Sequence, residues 1–139
     1  MSTVSGRLVY KYQVVMSNGR HSIIADEPLD VNGTDIGPGP YELLCASLAA
    51  CKAMTCRMYA ERKGWDLQGM DITVAHRKVK ASETPEAVSE KGYVDIFDTE
   101  MSFHGDLDGA QNERLLEIST RCPVHRTLLN ETIIHSTMA

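Results

Sequence analysis

The sequence predicts an α+β fold in a single domain spanning residues 1–139, and three observations carry that prediction. β-branched and aromatic residues crowd the first 25 positions around an Asn18-Gly19 pair, the strongest short hairpin signal. A long, largely apolar stretch from Pro40 to Lys63 carries helix signals at both ends. Two strand-like segments, 71–80 with alternating character and 93–104, then lead into a second helix signal. Strands, helix, hairpin and helix in that order make an α+β domain with an antiparallel sheet, and 139 residues suit one domain.

Residues 7–15 read as one strand and residues 21–25 as its return, with Ser17-Asn18-Gly19 as the turn. The segment 30–39 holds three Gly, one Pro and two Asp, and reads as a rigid loop entering a helix. It lacks the Lys-Ser/Thr of a phosphate-binding loop. The helix begins with Gly39 as N-cap, Pro40 at N1 and Glu42 at N3, where a carboxylate reaches back to the cap. Arg57, Arg62 and Lys63 crowd its far end, and Gly64 suits the position just past it. From Leu43 to Cys51 nearly every side chain is apolar or small, which predicts a helix buried on all sides, in part by a second subunit. Past Gly64, strands over 71–80 and 93–104 are joined by the polar loop 81–92. Asp108-Gly109-Ala110-Gln111 has capping-box spacing and opens a helix to about Arg121. Pro123 breaks that helix, leaving Cys122 to cap a short turn over 123–129. A last strand is expected over Thr132–His135.

Composition narrows the function classes. The net charge of −5 gives no reason to expect nucleic acid or an anionic membrane as partner. No run of about 18 apolar residues predicts a spanning helix, and the N-terminal residues lack the apolar core of a signal peptide. A cytoplasmic location is the resulting expectation. With two Phe and one Trp, the core is expected to consist of Ala, Leu, Val, Ile and Met. Four Cys in such a chain are better read as free or catalytic thiols than as a disulfide framework.

Those thiols carry most of the chemistry. A reactive Cys needs its thiolate stabilised. Cys122 has an evident source if it caps the helix opened by Pro123, because free N–H groups then point at its sulfur, with Arg121, His125 and Arg126 nearby. Cys51 lies inside the apolar helix. Lys52 is expected to turn to another face, so Cys51 needs a cation from elsewhere, with Arg7 and Arg20 as candidates. Cys45 and Cys56 share a helix face about three turns apart, roughly 16 Å, beyond disulfide reach. They read as small core residues. Cys122 and His125 at i, i+3 are compatible with acyl-transfer chemistry. A zinc site lacks the second ligand pair it would need, and no metal or cofactor is expected.

Gly33-Thr34-Asp35-Ile36-Gly37-Pro38-Gly39-Pro40-Tyr41-Glu42-Leu43-Leu44, followed by Ala49-Ala50-Cys51 and Met54-Thr55, resembles the first motif of the OsmC/Ohr family of osmotically induced and organic-hydroperoxide-resistance proteins. Cys122-Pro123-Val124 resembles the second, and the order of elements fits over almost the whole chain. The resemblance implies an intertwined homodimer around a long central buried helix, with active sites at the subunit interface. It also implies thiol peroxidase chemistry on organic hydroperoxides. Cys51 would attack the peroxide, Cys122 would resolve the sulfenic acid to a disulfide, and a dithiol or lipoyl group would restore both. In the family's peroxidases a Glu directly follows the motif proline and holds an Arg over the reactive thiol. Here Tyr41 takes that place and Glu42 comes one later, with Arg20 as the matching Arg. The chain is thus most similar to the family's less characterised, OsmC-like branch. A second reading is a non-catalytic protein that binds a small ligand in the apolar interfacial pocket.

Overall fold

The computed structural model describes residues 1–139 as two compact units, Met1–Leu44 and Cys45–Ala139. In the first, β1 (Ser5–Tyr10), β2 (Gln13–Ser17) and β3 (Ser22–Ala25) form a three-stranded antiparallel sheet in the order β1-β2-β3. The expected single strand over 7–15 is therefore two strands. The chain reverses at Lys11, whose φ of 46° is left-handed, and the ladder shifts register between Leu8 and Tyr10. β propensity is continuous through Tyr10-Lys11-Tyr12 and hides this turn, which has no Gly or Asn to mark it. The Asn18-Gly19 turn forms as expected. Asn18 Oδ1 accepts the N–H groups of Arg20 and His21, and Gly19 has φ 90°.

The loop after β3 is organised by one carboxylate. Asp26 is buried, and its oxygens accept from the Thr34 hydroxyl at 2.5 Å and from the N–H groups of Glu27 and Ile36 at 2.8 and 3.2 Å. These donors hold its pKa down at about 2, the Thr34 hydroxyl contributing most. The loop is laid against the chain it leaves: Asp35 N–H donates to Glu27 O, and Asp26 N–H to Pro38 O. A Cβ at Gly33 would lie 1.8 Å from Glu27 O, and one at Gly37 1.9 Å from Ile24 O. Both glycines are thus required by close backbone approach.

α1 (Pro40–Lys63) starts in the first unit and runs through the second. Glu42 Oε2 accepts the Gly39 N–H at 2.7 Å, the expected reach back to the cap. At the other end Gly64 has φ 67°, its N–H donates to Glu61 O, and the Trp65 N–H donates to Ala60 O. Burial departs from expectation. Leu48, Lys52, Cys56, Tyr59 and Ala60 form one buried stripe at i, i+4, i+8, i+11 and i+12, while Met54 and Met58 are more than half exposed. An apolar sequence all round the helix is thus covered on one face only within a single chain.

In the second unit, β4 (Gly69–Lys80) and β5 (Tyr93–His104) pair antiparallel from Gly69↔His104 to Lys80↔Tyr93 without a shift. α2 (Gly109–Ser119) begins with both halves of the expected capping box between Asp108 and Gln111. It ends about two residues earlier than expected, and α3 (Pro123–Leu129) follows with Cys122 as its N-cap. The expected strand over Thr132–His135 does not form. Residues 131–139 are exposed and pair with no strand, and β propensity alone does not hold an unpaired segment extended.

The core of this unit is Cys56, Tyr59, Ala60, Leu67, Leu115 and Ile118, with Trp65, Met70, Phe103 and Leu107 packed against it. The expectation of an aliphatic core is corrected here, since Tyr59 and Trp65 meet edge to face at 5.5 Å between centroids. No helix is long and apolar enough to cross a membrane.

Candidate active site

The site lies where α2 ends, α3 begins and the middle of α1 passes. Cys122 adopts an extended conformation (φ −65°, ψ 144°) because Pro123 requires it, and its sulfur accepts the His125 N–H at 3.2 Å. The N-cap role expected for Cys122 is thus present. Its electrostatic consequence is smaller than expected, because Cys122 is fully buried and desolvation, the largest influence, raises its pKa. The N–H donor at the cap and the Lys52 charge pull the other way.

Cys51 reaches this sulfur. Its side chain is close enough to raise the Cys122 pKa both through a hydrogen bond and through charge. Both thiols are free, and Cys51 is half-buried whereas Cys122 is sealed. The structure therefore brings together the two cysteines that the sequence separates by more than half its length. Cys56 is a core residue whose thiol faces Leu115 O at 3.4 Å, and burial pushes its pKa up to about 11. Cys45 is half-buried and also free.

Lys52 was expected to turn to a face other than that of Cys51, and that face proves to be a buried one. Lys52 is 2% exposed and belongs to the buried stripe between Leu48 and Cys56. Burying an ammonium is expensive unless its protons are bonded. Nζ donates to Ser119 O, in the last turn of α2, at 3.0 Å, and lies 3.0 Å from His125 Nδ1. The lysine thus satisfies a carbonyl at a helix C-terminus, where positive charge is favoured. With the ammonium as donor, His125 accepts at Nδ1 and carries its proton on Nε2. Burial first, and then the Lys52 charge, lower the His125 pKa. The signal in the sequence was present: Lys52 stands four residues from Leu48 and four from Cys56, on their face.

His125 meets Cys122 through its main-chain N–H, while ring Nδ1 is taken by Lys52. That arrangement differs from a Cys-His acyl-transfer pair, in which the imidazole itself would accept the thiol proton. Arg20 and Glu42 belong to the first unit. Arg20 is exposed on the turn between β2 and β3, with its N–H on Asn18 Oδ1, and Glu42 is engaged in capping α1. No group of three His, Cys, Asp or Glu side chains converges to hold a metal ion.

A second feature lies beside α1. Ala53, Met54, Met58, Leu67, Gly69 and Met70, with the stem of Arg57, line an apolar hollow of about 450 Å³. Arg57 is anchored at its rim by bonds to the carbonyls of Leu67 and Gln68.

With this geometry in hand, comparison with known proteins identifies the lineage. The family model described as OsmC-like protein matches residues 33–137. Among curated proteins none matches. Among solved structures, the chain is similar to an OsmC like protein from Mycoplasma pneumoniae, with a TM-score of 0.74, 21% identity and coverage of 93% of this chain and 87% of that one. It is similar to an organic hydroperoxide resistance protein OsmC from Legionella pneumophila, described as a predicted redox protein and regulator of sulfide bond formation. That match has a TM-score of 0.66, 20% identity and coverage of 91% and 87%. An organic hydroperoxide resistance protein from Elizabethkingia anophelis gives a TM-score of 0.64 at 14% identity, covering 91% and 87%. At these identities the structures speak to the fold, and all three agree with the α+β architecture described above. The family match extends from the glycine loop at Gly33 through Cys51 and past Cys122, and the chain belongs to the OsmC-like protein family.

Proposed function

We propose that the protein is a thiol peroxidase that reduces organic hydroperoxides with Cys51 and Cys122 as its redox couple. The observation that carries this reading is the approach of two free thiols from distant parts of the chain, beside a buried ammonium. Accessibility supports Cys51 as the attacking thiol and the sealed Cys122 as the resolving one. The Cys51 thiolate attacks one peroxide oxygen, the O–O bond breaks, and the alkoxide takes a proton and leaves as the alcohol. Cys51 is then a sulfenic acid. Cys122 attacks its sulfur, an S–S bond forms, the S–O bond breaks, and water leaves. An external dithiol, free or lipoyl-bound, exchanges with the disulfide and returns both thiols.

The proposal includes a homodimer. Leu8, Val9 and Tyr10 on β1 and Met54 and Met58 on α1 are each more than half exposed in the single chain, more apolar surface than scattered exposure explains. It also keeps Arg20 and Glu42 as the guanidinium and carboxylate that the family pattern brings to the reactive thiol.

The test is stopped-flow reduction of cumene hydroperoxide with a dithiol as reductant. Cys51→Ser should abolish peroxide consumption, and Cys122→Ser should permit one stoichiometric oxidation and then stop. Absence of peroxide-dependent thiol loss in the unmodified protein would sink the reading. The apolar hollow beside Met54 and Met58 favours a second reading, in which the protein binds a small apolar ligand without chemistry. Saturable binding of such a ligand with no thiol oxidation would point there.

A further inference from the structure

We propose that Lys52 supplies the positive charge that holds Cys122 as a thiolate while the disulfide forms, with His125 fixing the ammonium in place. The chemistry of disulfide formation rests on the function proposed above; the charge relation between Lys52 and Cys122 does not.

Cys122 has no access to water that would solvate a thiolate, since it is fully buried. The groups facing it are the Cys51 and Cys56 thiols and the Lys52 ammonium from α1, and the His125 N–H from α3. Lys52 is the cation among them. Two thiols in contact resist carrying charge together, so a thiolate on Cys122 needs compensation at close range. Lys52 is positioned for this by two bonds that leave one ammonium proton uncommitted. Ser119 O takes one proton and His125 Nδ1 another. Both partners lie on the segment 119–125 that carries Cys122, so the ammonium and the sulfur are held by the same short stretch of chain.

This placement assigns Lys52 to the second half of the cycle. Cys122 gives up its proton, and its thiolate attacks the sulfur of the Cys51 sulfenic acid. The S–S bond forms as the S–O bond breaks, and the departing hydroxide takes up the released proton and leaves as water. Lys52 keeps its own proton throughout, stabilising the anion on Cys122 before attack. The role differs from that of the Arg implied for the first attack on peroxide, which concerns Cys51.

The experiment measures Cys122 without peroxide. In Cys51→Ser protein labelled with 13Cβ-cysteine, the Cys122 Cβ resonance is followed by NMR across pH, so that no reagent has to reach the buried sulfur. Adding Lys52→Met, which keeps length and removes charge, should move the midpoint of the profile up by about one unit. Lys52→Arg should stay near the parent. Superimposable profiles from folded proteins would overturn the proposal, because a lysine that merely caps α2 would leave the midpoint where it was. If Lys52→Met does not fold, the intact lysine is read instead by NMR of 13C-labelled Lys side chains. The Lys52 Cε resonance should follow a titration that disappears in Cys122→Ser, and its failure to do so overturns the proposal equally. In the Lys52→Met single variant, peroxide should leave a dimedone-trappable sulfenic acid on Cys51 that passes to disulfide about tenfold more slowly. If peroxide oxidises no variant, the peroxidase reading fails, while the Cys122 titration profile still decides the role of Lys52.

Discussion

Nζ of Lys52 lies 3.0 Å from Nδ1 of His125, a buried ammonium resting on an imidazole that must stay neutral to receive it. The folded protein holds the His125 pKa below its ordinary value of 6.5, by burial and then by this charge. The unfolded chain binds the proton more readily, so stability from this group is complete above about pH 6.5 and declines as pH falls below it. Denaturation midpoints collected from pH 8 to 5 should show this decline. His125→Asn, which can still present an oxygen to Lys52, should flatten it. An unchanged slope would show that His125 carries no such linkage.

Asp26 gives a second pH signature, in a different window. Its carboxylate is depressed to about 2 by the Thr34 hydroxyl and main-chain N–H groups. The stability it brings is therefore fully present above about pH 4 and is lost as pH falls toward 2. Asp26→Asn should lower the thermal midpoint at pH 7 by about 5–10 °C, in the range of a broken buried network. Its curve should converge on that of the parent near pH 2. Parallel curves would indicate that the charge on Asp26 is not what orders the loop.

Backbone proximity separates two glycines by a simple exchange. Gly37→Ala would place a methyl 1.9 Å from Ile24 O, and because the obstacle is main chain, no side chain can move to relieve it. A loss of about 2 kcal/mol or more in chemical denaturation is expected, at the upper end for overpacking. Gly109→Ala, at the first position of α2 and with nothing within 4 Å of the added carbon, should be neutral or mildly stabilising.

The open face of α1 makes a prediction about assembly. Met54→Glu together with Met58→Glu adds two charges to a surface that is already more than half exposed, so the single chain should still fold. If a second copy covers that face, sedimentation should show the parent as a dimer and the double variant as a monomer. A parent that sediments as a monomer at micromolar concentration removes the dimer from the proposal.

Local chemistry explains which elements were legible in advance. Asp108 with Gln111, Gly39 with Glu42, Asn18-Gly19 and Cys122-Pro123 each act within four residues, and each formed as read. The turn at Lys11 was hidden because the residues reversing the chain are themselves good strand formers. The absent strand at 132–135 shows the same limit from the other side, since a strand is defined by its partner. At the site, the two sulfurs were readable as a pair through their family-like motifs. Lys52 was read only as lying off the Cys51 face, and the burial of its ammonium went unseen. Its partners, Ser119 O and His125, are more than sixty positions away, and no spacing rule links them.

The sulfur of Cys122 is also a piece of secondary structure. It accepts the His125 N–H in the first turn of α3, a helix of seven residues with little stability of its own. A thiolate strengthens that bond, while an alkylated or disulfide-bonded sulfur weakens it. Each change in charge or bonding on one atom is therefore felt along the backbone from Val124 to Leu129. Amide hydrogen exchange in that segment becomes a clock for the chemistry of the thiol, slowest when the sulfur is anionic and fastest when it is bonded. The helix converts a local electronic state into a mechanical one that can be read without touching the cysteine.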